Sequence, residues 1–123
     1  MKASPLLCLL FCLFSPAAVL AAEPPVKVFE LAISRSAAPA KPQVLRVEKD
    51  DVVRLRVTSD AAGEVHLHGY RLEVKLAPGT PQELSFNARA TGRYRIEWHP
   101  AAEAPAKSDH HGPPLATLEV RPK

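Results

Sequence analysis

Hydrophobic and polar residues alternate along most of the chain after residue 22. The alternation is plainest at residues 53–58, where valine or leucine at every second position is followed by arginine or threonine. Successive side chains of a β-strand point to opposite sides, so a period of two residues predicts strands with one buried face. The candidate strands lie at residues 26–33, 42–48, 53–58, 64–69, 72–76, 84–86, 93–99 and 115–120.

Turn residues separate these strands at regular intervals. Residues 77–81 (APGTP) combine proline with glycine, and residues 90–92 (ATG) precede another strand. The pattern predicts an all-β protein, an antiparallel Greek-key β-sandwich of seven to eight strands. Residues 100–114, rich in proline and alanine, form a connection longer than an ordinary hairpin, and long loops of this kind are often functional.

The first 22 residues have the composition of a secretory signal peptide. Lys2 is their one charged side chain, residues 6–14 (LLCLLFCLF) are wholly apolar, and residues 17–22 are mostly small. This apolar run is shorter than the about 20 residues of a membrane-spanning helix, so we interpret it as a cleaved leader. We predict a signal peptide at residues 1–22, one mature domain at residues 23–123, a periplasmic location and no membrane span after cleavage.

Composition excludes several kinds of chemistry. The 123 residues include 16 Lys and Arg, 13 Asp and Glu, 5 His and 2 Cys, with a formal net charge of +3. Basic residues are interleaved with acidic ones and aromatic residues are few, which argues against nucleic-acid binding. Cys8, Cys12 and Met1 all lie in the predicted leader. The mature domain therefore has no sulfur ligand, no disulfide and no cysteine nucleophile, and histidine is its main candidate metal ligand.

Two histidines lie on one predicted strand at residues 64–69. Alternation places Glu64, His66 and His68 on one face, with Cα atoms of the two histidines roughly 6.5–7 Å apart, twice the rise per residue. This spacing allows one nitrogen of each ring to reach a common ion. The pair therefore indicates a site for copper or zinc, and the alternative is two solvated histidines on the polar face of a strand.

The other histidines follow later in the chain. His99 ends the strand at residues 93–99 and shares a face with Arg95 and Glu97, opposite Trp98, which is predicted to pack in the core. His110 and His111 lie in the long connection, where the alternative is a solvated loop tip. One end of a sandwich can bring all of them together, so the predicted metal ligands are His66, His68, His99, His110 and His111. Imidazole without thiolate favours copper(II), with zinc(II) as second choice.

Catalytic motifs are missing from the sequence. Residues 108–110 (SDH) have the residue types of a hydrolase triad, but consecutive residues are poorly placed for its sequential hydrogen bonds. No phosphate-binding glycine loop, nucleophile elbow or zinc-protease motif is present. We therefore predict a protein that is not an enzyme. A histidine-only copper oxidase remains the enzymatic alternative.

The order of these features resembles the cupredoxin family over about residues 44–121. The segments that carry the resemblance are residues 49–55 (KDDVVRL), 66–70 (HLHGY), 78–86 (PGTPQELSF) and 91–94 (TGRY). The chain also resembles small secreted cupredoxin-like proteins with a His-x-His-Gly-Tyr strand, here residues 66–70. The resemblance implies a β-sandwich, and His66 or His68 falls at the position of the first copper-ligand histidine.

The sequence departs from the blue-copper pattern at the remaining ligands. Trp98 lies six residues after Gly92, where the resemblance implies the thiolate cysteine, and the axial methionine is missing. A blue-copper site needs two histidines, a cysteine and a weak axial ligand. The resemblance therefore implies the fold without type 1 electron transfer.

Two functions follow from these residues. The first is a periplasmic protein that binds copper(II) or another divalent metal through histidines for storage, delivery or tolerance, with a periplasmic or membrane-bound metal-handling protein as partner. The second is a metal-free cupredoxin-like interaction or accessory module, because a fold does not dictate its function. The sequence leaves both open.

Overall fold

A computed structural model of the chain describes residues 22–34, 41–101 and 114–123. These residues form strands and turns without a helix, so none of them lies in a helix that is long and apolar enough to cross a membrane. The predicted leader and most of the long connection, with His110 and His111, lie outside the described residues. The strands are β1 (Val26–Ile33), β2 (Gln43–Glu48), β3 (Val52–Ser59), β4 (Gly63–Leu67), β5 (Leu72–Leu76), β6 (Gln82–Asn87), β7 (Gly92–Pro100) and β8 (Ala116–Arg121).

The strands form a sandwich of two sheets. One sheet has three strands in the order β1-β3-β6, and the other has five in the order β2-β8-β7-β4-β5. The predicted all-β cupredoxin-like sandwich of seven to eight strands is confirmed, with one difference. The sheets are mixed, because β1 pairs with β3 and β2 pairs with β8 in parallel. Between the two strands of each pair the chain passes through the other sheet, and the two strands run in the same direction.

The core lies between the inner faces of the two sheets. The alternation in β3 is the clearest case, since Val53, Leu55 and Val57 are fully buried while Arg54 and Arg56 are exposed. The facing sheet contributes the buried side chains Leu45, Val65, Leu67, Ile96 and Leu118. Burial of a large aliphatic side chain contributes about 1.5–3 kcal/mol, so these positions fix which face of each strand is turned inward. The opposite face of the larger sheet is left for polar chemistry.

The turn between β2 and β3 depends on Asp51, which is buried. Its Oδ2 accepts a hydrogen bond from the backbone N–H of Glu48 at 3.0 Å, and its backbone bonds with Ala88 next to β6. Asp50, the residue before it, has a φ of 71°, a left-handed conformation in which Asp is enriched among non-glycine residues. The acidic pair at residues 50–51 is therefore a structural turn that ties both sheets together.

A second turn, residues 68–71, follows β4 and carries His68. Gly69 has a φ of +81°, and a Cβ atom there would lie 2.6 Å from Cδ1 of Tyr94. Tyr94 in turn donates a hydrogen bond from its hydroxyl to the carbonyl of Ala90 at 3.0 Å. The buried Tyr70 packs edge-on against Tyr94, with ring centroids 4.9 Å apart. The Gly-Tyr part of the His-x-His-Gly-Tyr segment therefore holds the turn in place.

We predict that Gly69→Ala destabilises the protein by about 1–3 kcal/mol more than Gly79→Ala, because only the first also overpacks a ring. Gly79 is the matched control, since its φ is +74° and a Cβ atom there meets nothing within 4 Å. Both substitutions carry the left-handed backbone penalty of about 1–2 kcal/mol. Urea unfolding of the two variants measures the difference. Equal losses would show that the contact with Tyr94 contributes nothing.

Candidate functional site

The outer face of β4 carries the two histidines of the predicted pair. His66 lies within the strand and His68 directly after it. Val65, before His66, and Leu67, between the two histidines, are fully buried. The imidazole rings lie together, with centroids 4.2 Å apart and planes inclined by 36°. Alternation along the strand thus produces the juxtaposition that the sequence predicted.

The neighbouring strand β7 brings His99 to the same face. The antiparallel register pairs Glu64 with His99 and His66 with Glu97. The rings of His66 and His99 have centroids 6.5 Å apart. We call His66, His68, Glu97 and His99 the histidine patch. Three of the five predicted ligands therefore lie in one patch, and the remaining two, His110 and His111, lie outside the described residues.

Glu97 is the member of the histidine patch that sequence reasoning missed. The sequence predicts it on a polar face, yet only 6% of its surface is exposed. Its Oε2 lies 2.8 Å from Nε2 of His68 and 3.8 Å from Nε2 of His99. Its Oε1 accepts a hydrogen bond from Nε of Arg95 at 2.9 Å. The buried carboxylate of Glu97 thus joins His68, which directly follows β4, to Arg95 of β7.

These contacts also set the charge of Glu97. Burial alone disfavours the ionised carboxylate, but the hydrogen bonds and positive charge of His68 and Arg95 outweigh it, so the pKa of Glu97 is lowered from its ordinary value. The carboxylate is therefore ionised at neutral pH. Alternating parity could have indicated that Glu97 faces the histidines, but its burial depends on side chains from another strand.

A second carboxylate lies on the other side of the patch. Glu73 of β5 pairs with His66 in register, and its Oε1 lies 3.7 Å from Nε2 of His66. This distance is too long for a hydrogen bond, and the Glu73 side chain is largely exposed. The two adjacent histidines therefore lie between one buried and one exposed carboxylate.

The ligand atoms of the patch are of the types that borderline divalent ions prefer, but their positions do not match a metal site. Imidazole nitrogen and carboxylate oxygen are ordinary ligands of zinc(II), and imidazole also suits copper. Within residues 22–34, 41–101 and 114–123, however, no group of three or more His, Cys, Asp or Glu side chains has the spacing of a metal site. Binding within these residues would need side chains to rotate, or a ligand from elsewhere.

Trp98 occupies the position where a blue-copper protein resembling this chain would carry cysteine. It lies on the inner face of β7, opposite Val65 in register, and packs against the core. Its ring covers Gly63, where a Cβ atom would overlap the indole. The prediction that Trp98 packs in the core is confirmed. Position 98 and the histidine patch are on opposite faces of the same sheet.

Comparison with solved structures identifies the fold. A chain of a heme-copper terminal oxidase dimer superposes with a TM-score of 0.55 at 21% identity, covering 77% of this chain and 65% of that one. A multicopper oxidase gives 0.55 at 18% identity, covering 79% and 42%. The copper nitrite reductase from Nitrosomonas europaea gives 0.51 at 16% identity, covering 79% and 42%.

These neighbours are cupredoxin-fold proteins, and this chain has a cupredoxin-like fold. It spans 65% of the oxidase chain and less than half of the other two. Identities this low establish the fold alone. No protein-family model and no curated protein matches the sequence.

We predict that Glu97→Gln lowers the free energy of unfolding by about 1.5–3 kcal/mol at pH 7, the usual range for a hydrogen bond to a charged group. Because the folded-state pKa is lowered, the stabilisation is present above the unfolded pKa and is lost as pH falls through the folded pKa. The native protein and the variant should therefore converge in stability on acidification. Denaturant unfolding between pH 7 and pH 3 tests this.

Glu83→Gln is the control for that experiment. Glu83 forms an exposed ion pair with Arg56, at 3.8 Å in the other sheet, and such pairs contribute about 0–1 kcal/mol. A stability difference between the native protein and Glu97→Gln that is constant with pH would contradict the ionic role of Glu97.

Proposed function

We propose that this protein is an extracytoplasmic, periplasmic protein that binds copper(II), or zinc(II) as second choice, through histidines. His66 and His68 form the primary pair, and His99, His110 or His111 completes the coordination. The role is metal storage, delivery or tolerance, in exchange with a periplasmic or membrane-bound metal-handling protein. The observation that carries the proposal is the 4.2 Å separation of the His66 and His68 rings on the outer face of the five-stranded sheet.

Further features support the proposed divalent cargo and the proposed export. The patch supplies imidazole nitrogens next to carboxylate oxygens, and the predicted mature domain has no cysteine or methionine to select copper(I). The leader-like sequence at residues 1–22 supports export. The names of three structural neighbours, two oxidases and a nitrite reductase, include copper. Copper is therefore the first ion to test.

The proposed activity is binding rather than catalysis, and it differs from blue-copper electron transfer. A type 1 centre needs a cysteine thiolate, whereas position 98 holds a tryptophan that packs inward. The residues of the patch offer imidazole nitrogens and one ionised carboxylate, a set suited to holding an ion in exchange with solvent. Any ion held there acts as cargo.

One observation favours a second candidate, the metal-free interaction or accessory module. His68, Glu97 and Arg95 already bond to one another at 2.8 and 2.9 Å. A polar network with satisfied hydrogen bonds is stable without an ion. In this alternative the sandwich is a scaffold or accessory subunit, and the long connection at residues 100–114 contacts a protein partner.

We expect the purified mature protein to bind one equivalent of copper(II), and the double substitution His66→Ala with His68→Ala to weaken that binding. The loss should exceed the about 10–100-fold that removal of an outer partner of a metal ligand costs. Calorimetric titration gives the affinity, and copper(II) absorbance gives the stoichiometry. His99→Ala and His110→Ala with His111→Ala, measured in parallel, identify which histidine completes the site.

The matched control is Glu83→Ala with Ser85→Ala. These two residues have the same spacing on the exposed face of β6, in the other sheet. The control should bind copper(II) as the native protein does. Native affinity retained in the double histidine variant would overturn the assigned pair. A native protein that binds neither copper(II) nor zinc(II) would favour the metal-free module.

A further inference from the structure

We propose that Glu97 is a positioning residue, which holds His68 with its hydrogen on Nε2 and so presents Nδ1 as the metal-binding nitrogen. This inference rests on the proposed metal binding and adds to it the atom through which one ligand acts. It assigns a role to a residue that the sequence pattern predicts only as a surface acid.

The first step is the state of the carboxylate. Glu97 is buried and accepts a hydrogen bond from Nε of Arg95 through one oxygen. The guanidinium is always charged and can only donate. A guanidinium nitrogen 2.9 Å from Oε1 favours the charged form of the carboxyl group, so Glu97 is ionised. An ionised carboxylate can only accept hydrogen bonds.

The second step is the position of the hydrogen on His68. Nε2 of His68 lies 2.8 Å from Oε2 of Glu97, a hydrogen-bond distance. Because the carboxylate cannot donate, Nε2 carries the hydrogen. In a neutral imidazole the other nitrogen then holds the lone pair. A metal that binds neutral His68 without breaking this contact therefore binds Nδ1.

The third step is selectivity within the patch. Nε2 of His66 lies 3.7 Å from Glu73, and Nε2 of His99 lies 3.8 Å from Glu97. Both distances exceed the hydrogen-bond range. Among the residues that the structure describes, a carboxylate lies at hydrogen-bond distance from His68 but not from His66 or His99. His68 is thus the pre-oriented ligand, and His66 and His99 are the adjustable ones.

The fourth step is rigidity. Glu97 is held from one side by Arg95, and His68 follows β4 in the turn whose Gly69 contacts Tyr94. The backbone N–H of His68 also donates to the carbonyl of Arg95 at 2.9 Å. A carboxylate partner fixes the tautomer and ring orientation of a ligating histidine and raises its basicity. Both partners of this pair are anchored, so the orientation exists before metal arrives.

The closing experiment reads the tautomer directly. Long-range 1H–15N correlation spectra of 15N-labelled native protein, without metal and at about pH 8.5, above the ordinary imidazole pKa of about 6.5, distinguish Nε2–H from Nδ1–H for each histidine. We expect His68 to be the Nε2–H tautomer. In Glu97→Gln the side-chain amide can donate to the ring as well as accept, so we expect His68 to become a mixture.

Copper(II) titration of the same variants gives the second measurement. We expect Glu97→Gln to weaken copper(II) binding about 10–100-fold at unchanged stoichiometry, and Glu97→Asp, which keeps the carboxylate, to recover part of the loss. Glu119→Gln is the matched control on β8. Glu119 accepts a hydrogen bond from Arg121 at 2.6 Å and has no histidine among its ion-pair partners. Its substitution should leave both the His68 tautomer and the affinity unchanged.

Two failures are distinguishable. Native protein that binds copper(II) while His68 is the Nδ1–H tautomer, or in which Glu97→Gln and Glu119→Gln bind equally well, overturns the role of Glu97 and leaves metal binding intact. Native protein with the expected tautomer but without affinity for copper(II) or zinc(II) overturns the proposed function, and with it the ligand role of Nδ1. Because the tautomer is read in the native protein, misfolding of a variant does not remove this test.

Discussion

The contact between the Tyr94 ring and Gly69 is the constraint on which the histidine patch depends. Tyr94 is held at the start of β7 by hydrogen bonds from its hydroxyl to the carbonyls of Ala90 and Thr91. Its ring fills the space that a side chain at position 69 would need. The ring therefore restricts the backbone conformation of the turn after β4, which begins with His68 next to β7. Without that contact, the pairing of His68 with Glu97 would rest on strand register alone.

Glu97 adds an electrostatic constraint to this geometric one. A buried carboxylate on the outer face of a sheet costs desolvation energy, and here Arg95 and His68 compensate for it with charge and hydrogen bonds. Removal of either side chain would leave the buried carboxylate of Glu97 with less compensation for its desolvation. The side chains most able to bind an ion are therefore also part of the network that keeps Glu97 ionised. The patch is therefore held by polar contacts, whereas the core beneath it consists mainly of aliphatic side chains.

The sequence predicts those parts of the molecule that depend on local alternation. One-sided burial gives β3 its period of two, and the same period places His66 and His68 on one face. The parallel pairing of β1 with β3 could not be predicted in this way, because it depends on which strands cross between sheets. The burial of Glu97 was missed for a similar reason. Its partner His68 is 29 positions away in sequence, and nothing in the residues around Glu97 distinguishes it from a solvated acid.

The two faces of β7 explain how this chain can have a cupredoxin-like fold without a blue-copper centre. Trp98 points inward and lies opposite Val65, while its neighbours Glu97 and His99 point outward beside His66. A cysteine at position 98 with the same backbone would thus be separated from the histidine patch by the sheet itself. The large indole instead packs against the core and covers Gly63. The hydrophobic interior therefore stabilises the sandwich, and among the described residues histidine and carboxylate side chains come together on the outer face of the larger sheet.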